Sequence, residues 1–281
     1  MNFPELAILK PTSRCNQNCK YCYDVKNPCE ISLDEIKKII SYISQNGTKS
    51  VIISGGEPLL REDIGEIMAE IKSKGLNVFL DTNGDFFLDR LNEIERNIDI
   101  LGLPLDGPSE EFSYRGKENF QNVIKILEHY KSKKERPKIR IGTVVTKENI
   151  NLLEDIAKLI RNFEIDVWKI YQFMPTGPLA TKNRAALEID ERSFLEAIKN
   201  LKDKNLQLNI LTCSSESRKR AHFFIGSDGK VYVPEDEKGD CKILGSVFEK
   251  GTIEEWKRIT DLKSYKENSE KVLYPLSLEE H

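Results

Sequence analysis

Hydrophobic residues along this chain alternate between two patterns: short unbroken apolar runs, and apolar positions spaced three and four apart. The first pattern is that of a strand buried on both faces, and the second that of one face of a helix. Leu6, Ala7, Ile8 and Leu9 make the first run. Ser32-Leu33-Asp34-Glu35 then opens a helix with the signature of a capping box, followed by Ile36, Ile39, Ile40 and Ile43 on one face and an end near Asn46-Gly47. Residues 50–53 read as a second strand, 62–74 as a helix, and 77–80 as a third strand running into Asp81-Thr82-Asn83-Gly84. A fourth strand spans 98–105, interrupted at Pro104 and closed by Asp106-Gly107-Pro108. A helix over 119–130 carries Val123, Ile124, Leu127 and Tyr130; a fifth strand over 138–145, a helix over 150–162 and a sixth strand over 166–173 complete the series.

Six strand and helix alternations before about residue 180 predict an α/β fold, a partial parallel (β/α)6 barrel. Such sheets bind ligands at the carboxyl ends of their strands. The unusual residues fall there: the cysteine-rich loop at 15–22, Gly55-Gly56-Glu57, Thr82-Asn83, Asp106, Thr146 and Met174-Pro175. Beyond residue 180 the pattern changes to a helix from about 190, a hairpin over 223–233 with an Asp228-Gly229 turn, residues 244–247, and an amphipathic helix near 252–260. The expected division is a barrel core over 1–180 and a small α+β extension over 181–281 that caps it.

A chain of 281 residues accommodates one large core with an appendage. Its 46 acidic and 43 basic residues leave a formal charge of −3, so no overall field favours nucleic acid or anionic lipid. A small polar molecule or a peptide suits that balance as substrate. The first residues, Met-Asn-Phe-Pro-Glu, lack a basic and apolar leader, and no apolar run is long enough to span a bilayer. A cytoplasmic location is expected, without membrane partners.

Cys15, Cys19 and Cys22 lie within eight residues of a chain with six cysteines in all. Thiolates so placed suit a soft metal or an iron–sulfur cluster, and three ligands leave one iron of a four-iron cluster open to an exogenous molecule. A half zinc site and a disulfide pair with a spare thiol are the alternatives. The paired C-x2-C halves of zinc sites are missing, and nothing else suggests an oxidising compartment. Gly55 and Gly56 permit positive φ and a close ligand approach, and Glu57 adds a negative charge suited to a cationic amino group. A plain strand-to-helix turn begun by Pro58 is the alternative there.

The spacing C-x3-C-x-aromatic-C, written by Cys15, Cys19, Tyr21 and Cys22, with Gly55-Gly56-Glu57 one strand later, resembles the radical S-adenosylmethionine (SAM) enzymes. The resemblance implies a [4Fe-4S] cluster on the three cysteines and SAM chelating the remaining iron. An electron from a flavodoxin- or ferredoxin-type donor would then yield methionine and a 5′-deoxyadenosyl radical that abstracts hydrogen from a substrate. It further implies that Gly55, Gly56 and Glu57 meet the methionine end of SAM, that Thr82, Asn83 and Asp106 lie near its ribose and carboxylate, and that Tyr21 lies beside the adenine. Thr82, Asn83 and Asp106 are equally turn formers. Met174, with Tyr171 and Phe173, is a candidate apolar wall or core.

Arg115, Lys117, Arg140 and Arg184 are candidates for an anionic substrate group or for solvated surface, His129 and His222 have no assigned role, and Cys29 reads as a free thiol. Residues 173–178 with Asn183-Arg184 resemble the barrel exit of enzymes with a C-terminal extension, including molybdopterin-type cyclases and SPASM or twitch maturases. Pro234 stands where such extensions place a cysteine, and only Cys213 and Cys241 remain downstream of the barrel, so no auxiliary cluster is expected. Residues 143–146 and 168–172 are similar to the corresponding strands of viperin-like nucleotide-modifying enzymes. The leading expectation is a radical SAM enzyme acting on a small molecule or nucleotide. A maturase of a peptide or protein and a noncatalytic iron–sulfur sensor are the other two; a sensor would leave the Gly-Gly-Glu turn and the strand-end polar residues without a role.

Overall fold

In the computed structural model, which describes residues 3–24, 26–234 and 241–278, the six apolar runs are consecutive strands. They are β1 (Leu6–Leu9), β2 (Ser50–Ile53), β3 (Asn77–Asp81), β4 (Ile100–Pro104), β5 (Lys138–Val145) and β6 (Val167–Gln172). Each pairs in parallel with the next. The crossovers hold α1 (Leu33–Gln45), α2 (Ile64–Ser73), the single turn α3 (Leu91–Ile94), α4 (Lys117–Tyr130) and α5 (Leu153–Ile160). The capping box expected of Ser32 and Glu35 forms, and Ile36, Ile39, Ile40 and Ile43 are the buried face of α1.

Both faces of the strands are covered, which is why their sequences read as unbroken apolar runs. Outward residues such as Val51, Ile53, Val78 and Ile141 pack in the main core with the helices. Inward residues Leu6, Ile8, Ile52, Phe79 and Ile100 form a separate cluster inside the sheet's curve, with Phe224 and Val272.

After β6 the chain makes α6 (Pro178–Lys182), α7 (Arg184–Leu187) and α8 (Glu191–Lys202), whose first turn is capped by Asp190. The strands β7 (Ile210–Cys213), β8 (Phe224–Ile225), β9 (Lys230–Pro234) and β10 (Cys241–Ser246) follow, then α9 (Lys250–Ile259) and α10 (Leu262–Leu273). The ten strands form one mostly parallel sheet in the order β10-β9-β8-β1-β2-β3-β4-β5-β6-β7. The later strands therefore add to both edges of the six-stranded core: β7 pairs with β6 and β8 with β1, each in parallel. The β8–β9 hairpin expected over 223–233 is present, and its first strand belongs to this sheet.

Among the described residues β7 and α10 go beyond the sequence expectation, as do the short helices α3, α6 and α7. The α10 helix supplies Val272 to the interior cluster and so floors it. Because β8 reaches only Ile8 and Leu9 of β1, Leu6 lacks a strand partner on that side. The Tyr265 hydroxyl of α10 takes its place, accepting from Leu6 N at 2.9 Å and donating to Leu6 O at 3.0 Å. Among the described residues no helix is long and apolar enough to cross a membrane.

Candidate active site at the carboxyl ends of the strands

The loop after β1 is held by backbone contacts with the turn after β2. Gly56 N donates to Thr12 O at 3.0 Å and Glu57 N to Arg14 O at 2.7 Å. Gly55 has φ +124°, and a Cβ there would overlap the Thr12 carbonyl oxygen; a Cβ on Gly56 would overlap the Arg14 carbonyl and stand 2.6 Å from its carbon. The paired glycines thus clear room for the chain's own cysteine loop, while one side of the turn still borders the cavity described below. Arg61 fastens the loop further, donating from Nη1 to Pro11 O at 2.9 Å and from Nη2 to Ile31 O at 3.0 Å.

On this platform Cys15, Cys19 and Cys22 are each half-buried. Cys22 N donates to Cys19 O at 3.0 Å, Gln17 N to Cys15 Sγ at 3.4 Å, and Arg115 Nη1 to Cys19 Sγ at 3.4 Å. Burial pushes the Cys15 and Cys19 thiols up; the Gln17 amide opposes this at Cys15, and the Arg115 charge at Cys19. Among the described residues no three His, Cys, Asp or Glu side chains converge on the position of a single metal ion. A cubane asks for something wider, because its thiolate ligands bind separate irons. Three half-buried thiols on one wall, close enough for Cys22 to act on the charge of both others, fit that donor set.

Glu57 is fully buried and joins the ends of β2 and β3. Its carboxylate accepts from Thr82 Oγ1 at 2.7 Å, Asn83 N at 2.7 Å and Leu59 N at 3.0 Å. Burial pushes it up to about 7, against these three donors, which favour the ionised form. The Asn83 side chain donates to Asn16 Oδ1 at 2.8 Å, and Asp85 Oδ2 accepts from Asn16 Nδ2 and Gln17 Nε2, each at 2.7 Å. The end of β3 therefore grips the cysteine loop from a second side. At the end of β4, Asp106 accepts from the Tyr21 hydroxyl, from Val144 N at 2.8 Å and from Arg115 Nε at 3.4 Å.

These residues converge on one cavity of about 340 Å³. Tyr21, Gly55, Gly56, Thr82, Asn83, Asp106 and Met174 line it together with the three cysteines, and so do Tyr171, Phe173, Arg115, Arg140 and His222. Glu57 stands behind the wall, and its carboxylate is engaged by the protein itself. Lys117 and Arg184 lie elsewhere, paired on the surface with Glu110 at 2.9 Å and Glu188 at 2.8 Å. His129 sits on α4 beside Lys133 and Glu95, Cys29 is exposed, Cys213 is buried in β7, and His281 is outside the described residues. Sequence reasoning missed Asn16, Gln17 and Asp85, whose only signal was their position between ligand cysteines or after a strand. It also missed Lys10, Lys169 and Arg218. Lys10 closes β1 inside the curve, buried against Asp24 at 2.8 Å and the Tyr23 ring at 4.4 Å.

Thiols in this spacing, docked on a Gly-Gly turn at the carboxyl ends of parallel strands, define a class, and comparison with known proteins gives the same one. The Radical SAM superfamily model matches residues 9–160, more than half of the chain, which belongs to that superfamily and takes its place among the radical SAM enzymes. The chain is 28% identical over 196 residues to the AdoMet-dependent heme synthase of Oleidesulfovibrio alaskensis, covering 66% of this chain and 50% of that protein. It is 26% identical over 259 residues to the S-adenosylmethionine-dependent nucleotide dehydratase of Selenomonas ruminantium, covering 84% of this chain and 88% of that one. The chain thus spans about half the length of the heme synthase relatives it matches. Among solved structures, Streptococcus suis SuiB bound to precursor peptide SuiA shares the fold at a TM-score of 0.72 and 17% identity, covering 95% of this chain and 66% of SuiB.

Proposed function

We propose that this chain cleaves SAM reductively at a [4Fe-4S] cluster and directs the resulting 5′-deoxyadenosyl radical to a hydrogen atom of a small-molecule or nucleotide substrate in the cytoplasm. The observation that carries the reading is the convergence of Cys15, Cys19 and Cys22 with the Gly55-Gly56 turn and the ends of β3 and β4 on one cavity. When bound, cluster and SAM supply the electron and the radical; the chain supplies position and shelter. The three cysteines would hold three irons. The Gly55-Gly56 backbone and the Thr82-Asn83 pair, kept in place by Glu57, would receive the methionine end. Asp106 and Tyr21 would face the ribose and adenine, with Phe173 and Met174 as the apolar wall. Residues 1–180 form the core in this reading, and 181–281 an extension whose α10 floors the chamber and keeps bulk water from the reacting atoms.

The exposed side of the cysteine loop, where Lys20 faces solvent, would leave a cluster held there within reach of a flavodoxin- or ferredoxin-type donor. The near end-to-end match with a relative named as a nucleotide dehydratase supports a small nucleotide-like substrate over a peptide. The test is anaerobic: reconstituted protein, dithionite and SAM, assayed by chromatography for 5′-deoxyadenosine. Release of 5′-deoxyadenosine and methionine is expected. An assembled cluster that gives none, with nucleoside triphosphates or peptides added, would return the reading to a noncatalytic sensor.

A further inference from the structure

Below the cysteine loop the inward positions of four adjacent strands are Asp81 on β3, Gly102 on β4, Arg140 and Gly142 on β5, and Lys169 on β6. In register, Asp81 lies opposite Gly102, Gly102 opposite Arg140, and Gly142 opposite Lys169. Arg140 is neutralised within this layer by an ion pair with Asp81. Gly102 makes the room for it, since a Cβ there would stand 2.5 Å from Arg140 Nη2.

Lys169 has no such partner. It is only 3% exposed and lines the cavity, yet among the described residues no carboxylate or hydrogen-bond acceptor meets its ammonium group. Its Nζ stands over the Tyr171 ring, 5.2 Å from the centroid. Arg218, on the segment between β7 and β8, reaches the same ring, with Cζ 5.4 Å from its centroid. Nε of Arg218 donates to Ser214 O at 3.3 Å, and Nη2 to Gln172 O. These carbonyls orient the guanidinium without cancelling its charge, and no carboxylate pairs with it among the described residues. His222 lines the same wall, and burial together with the charges of Arg218, Lys169 and Lys10 holds it down to about 3. It is neutral at physiological pH and relieves none of the positive potential.

Two cations that share one aromatic ring in a sheltered wall repel each other and have lost much of their hydration. A purely structural role would bring a carboxylate to them, as Asp81 comes to Arg140. We propose that Lys169 and Arg218 form an oxyanion subsite that takes a phosphate or carboxylate of the substrate. This rests on the reading of the cavity as a radical SAM active site, and it specifies the substrate as a small anion with a definite orientation. Lys169 lies three residues before the end of β6, roughly 10 Å down the strand. The charged end of the substrate is therefore held deep, and its reacting carbon points up toward the cysteine loop.

The test uses full-length reconstituted protein with SAM and no reductant, so that turnover does not enter. Tripolyphosphate and citrate are titrated separately by calorimetry into the parent, Lys169→Met, Arg218→Met and Lys169→Arg. Saturable binding of at least one probe at one per chain is expected, weakened at least tenfold in each Met variant and largely regained in Lys169→Arg. Tripolyphosphate as the binder assigns a phosphate, and citrate a carboxylate. No saturable binding of either probe, or equal affinity in the parent and whichever Met variants fold, overturns the subsite. SAM affinity is measured on the same samples. A parent that fails to bind SAM counts against the active-site reading, whereas SAM binding with oxyanion affinity indifferent to Lys169 and Arg218 counts against the subsite alone.

Discussion

Replacing Gly56 with Ala tests whether the Gly-Gly turn serves first to dock the cysteine loop. The added Cβ would stand 2.6 Å from the Arg14 carbonyl carbon, a backbone atom that cannot rotate away. Restoring the usual carbon–carbon separation of roughly 3.5–4.0 Å moves the loop back by about 1 Å. That retreat stretches Gly56 N to Thr12 O, now 3.0 Å, and Glu57 N to Arg14 O, now 2.7 Å, out of hydrogen-bonding range. Each buried donor left without an acceptor costs about 1–3 kcal/mol, so a loss of about 2–6 kcal/mol is expected for the two. A domain commonly has only about 5–15 kcal/mol to lose. Urea unfolding of the apo-protein followed by circular dichroism gives the stability; iron content and visible absorbance after reconstitution give the cluster. Both should fall. Gly251→Ala in α9, where nothing lies within 4 Å of the new Cβ, is the control and should unfold no more easily than the parent. An apo-protein within about 0.5 kcal/mol of the parent, below any of these hydrogen-bond costs, that assembles a full cluster but no longer binds SAM would refute the docking argument and give the glycines back to the ligand.

Alanine in place of Cys15, Cys19 or Cys22 should abolish the iron–sulfur absorption and 5′-deoxyadenosine formation, whereas Cys29→Ala should leave both; loss of the chromophore in Cys29→Ala alone would contradict the ligand assignment. Burial raises Glu57 from its ordinary 4.5 to about 7 in the folded chain, which between those pH values holds a proton that the unfolded chain has released. Apo-protein stability should therefore decline as pH rises through that window, and Glu57→Ala should remove this part of the slope; an unchanged slope in chemical denaturation curves would count against it. Below that window the same variant should be less stable by about 2–6 kcal/mol, because Asn83 N and Leu59 N lose their acceptor, and the difference should shrink as pH rises through it. Full reconstitution should give about four irons per chain, retained in a Cys213→Ala, Cys241→Ala double variant, since those cysteines lie in β7 and β10 at opposite ends of the strand order. Close to eight irons, falling to four in the double variant, would point to an auxiliary cluster.

Much of the architecture was legible because local signals coincide with elements. Residues 50–53 and 138–145 are strands with the expected bounds, each an apolar stretch with turn-forming residues nearby. The four residues of β7 carry too little pattern to stand out. In α10 the polar residues dominate, and its role depends on Val272 meeting the interior of a sheet formed far earlier in the chain. The wall residues after β1, β2, β3 and β4 were legible because glycines, cysteines and turn dipeptides mark strand ends. Lys169 was not. In the run Val-Trp-Lys-Ile-Tyr-Gln a lysine reads as solvent-facing, and only the curvature of the sheet turns that face into a cavity. Arg140, Lys117 and Arg184 looked alike for the same reason, yet only Arg140 faces inward. For Glu57 the sequence suggested a charge awaiting a ligand, whereas two of its three donors come from the next strand's end, a contact no local pattern contains.

The way both edges of the core are finished also bears on how the protein is made. The stretch from Ile210 to Leu273 supplies β7 for one edge, β8 for the other and α10 for the floor, and it takes roughly 3–13 s to synthesise at about 5–20 residues per second. During that interval a nascent chain carries its cysteine loop on a six-stranded sheet whose outer strands, β1 and β6, still offer open rows of amides and carbonyls to any neighbouring polypeptide. The later-made stretch is thus the part that keeps the earlier one from adding strands of other chains.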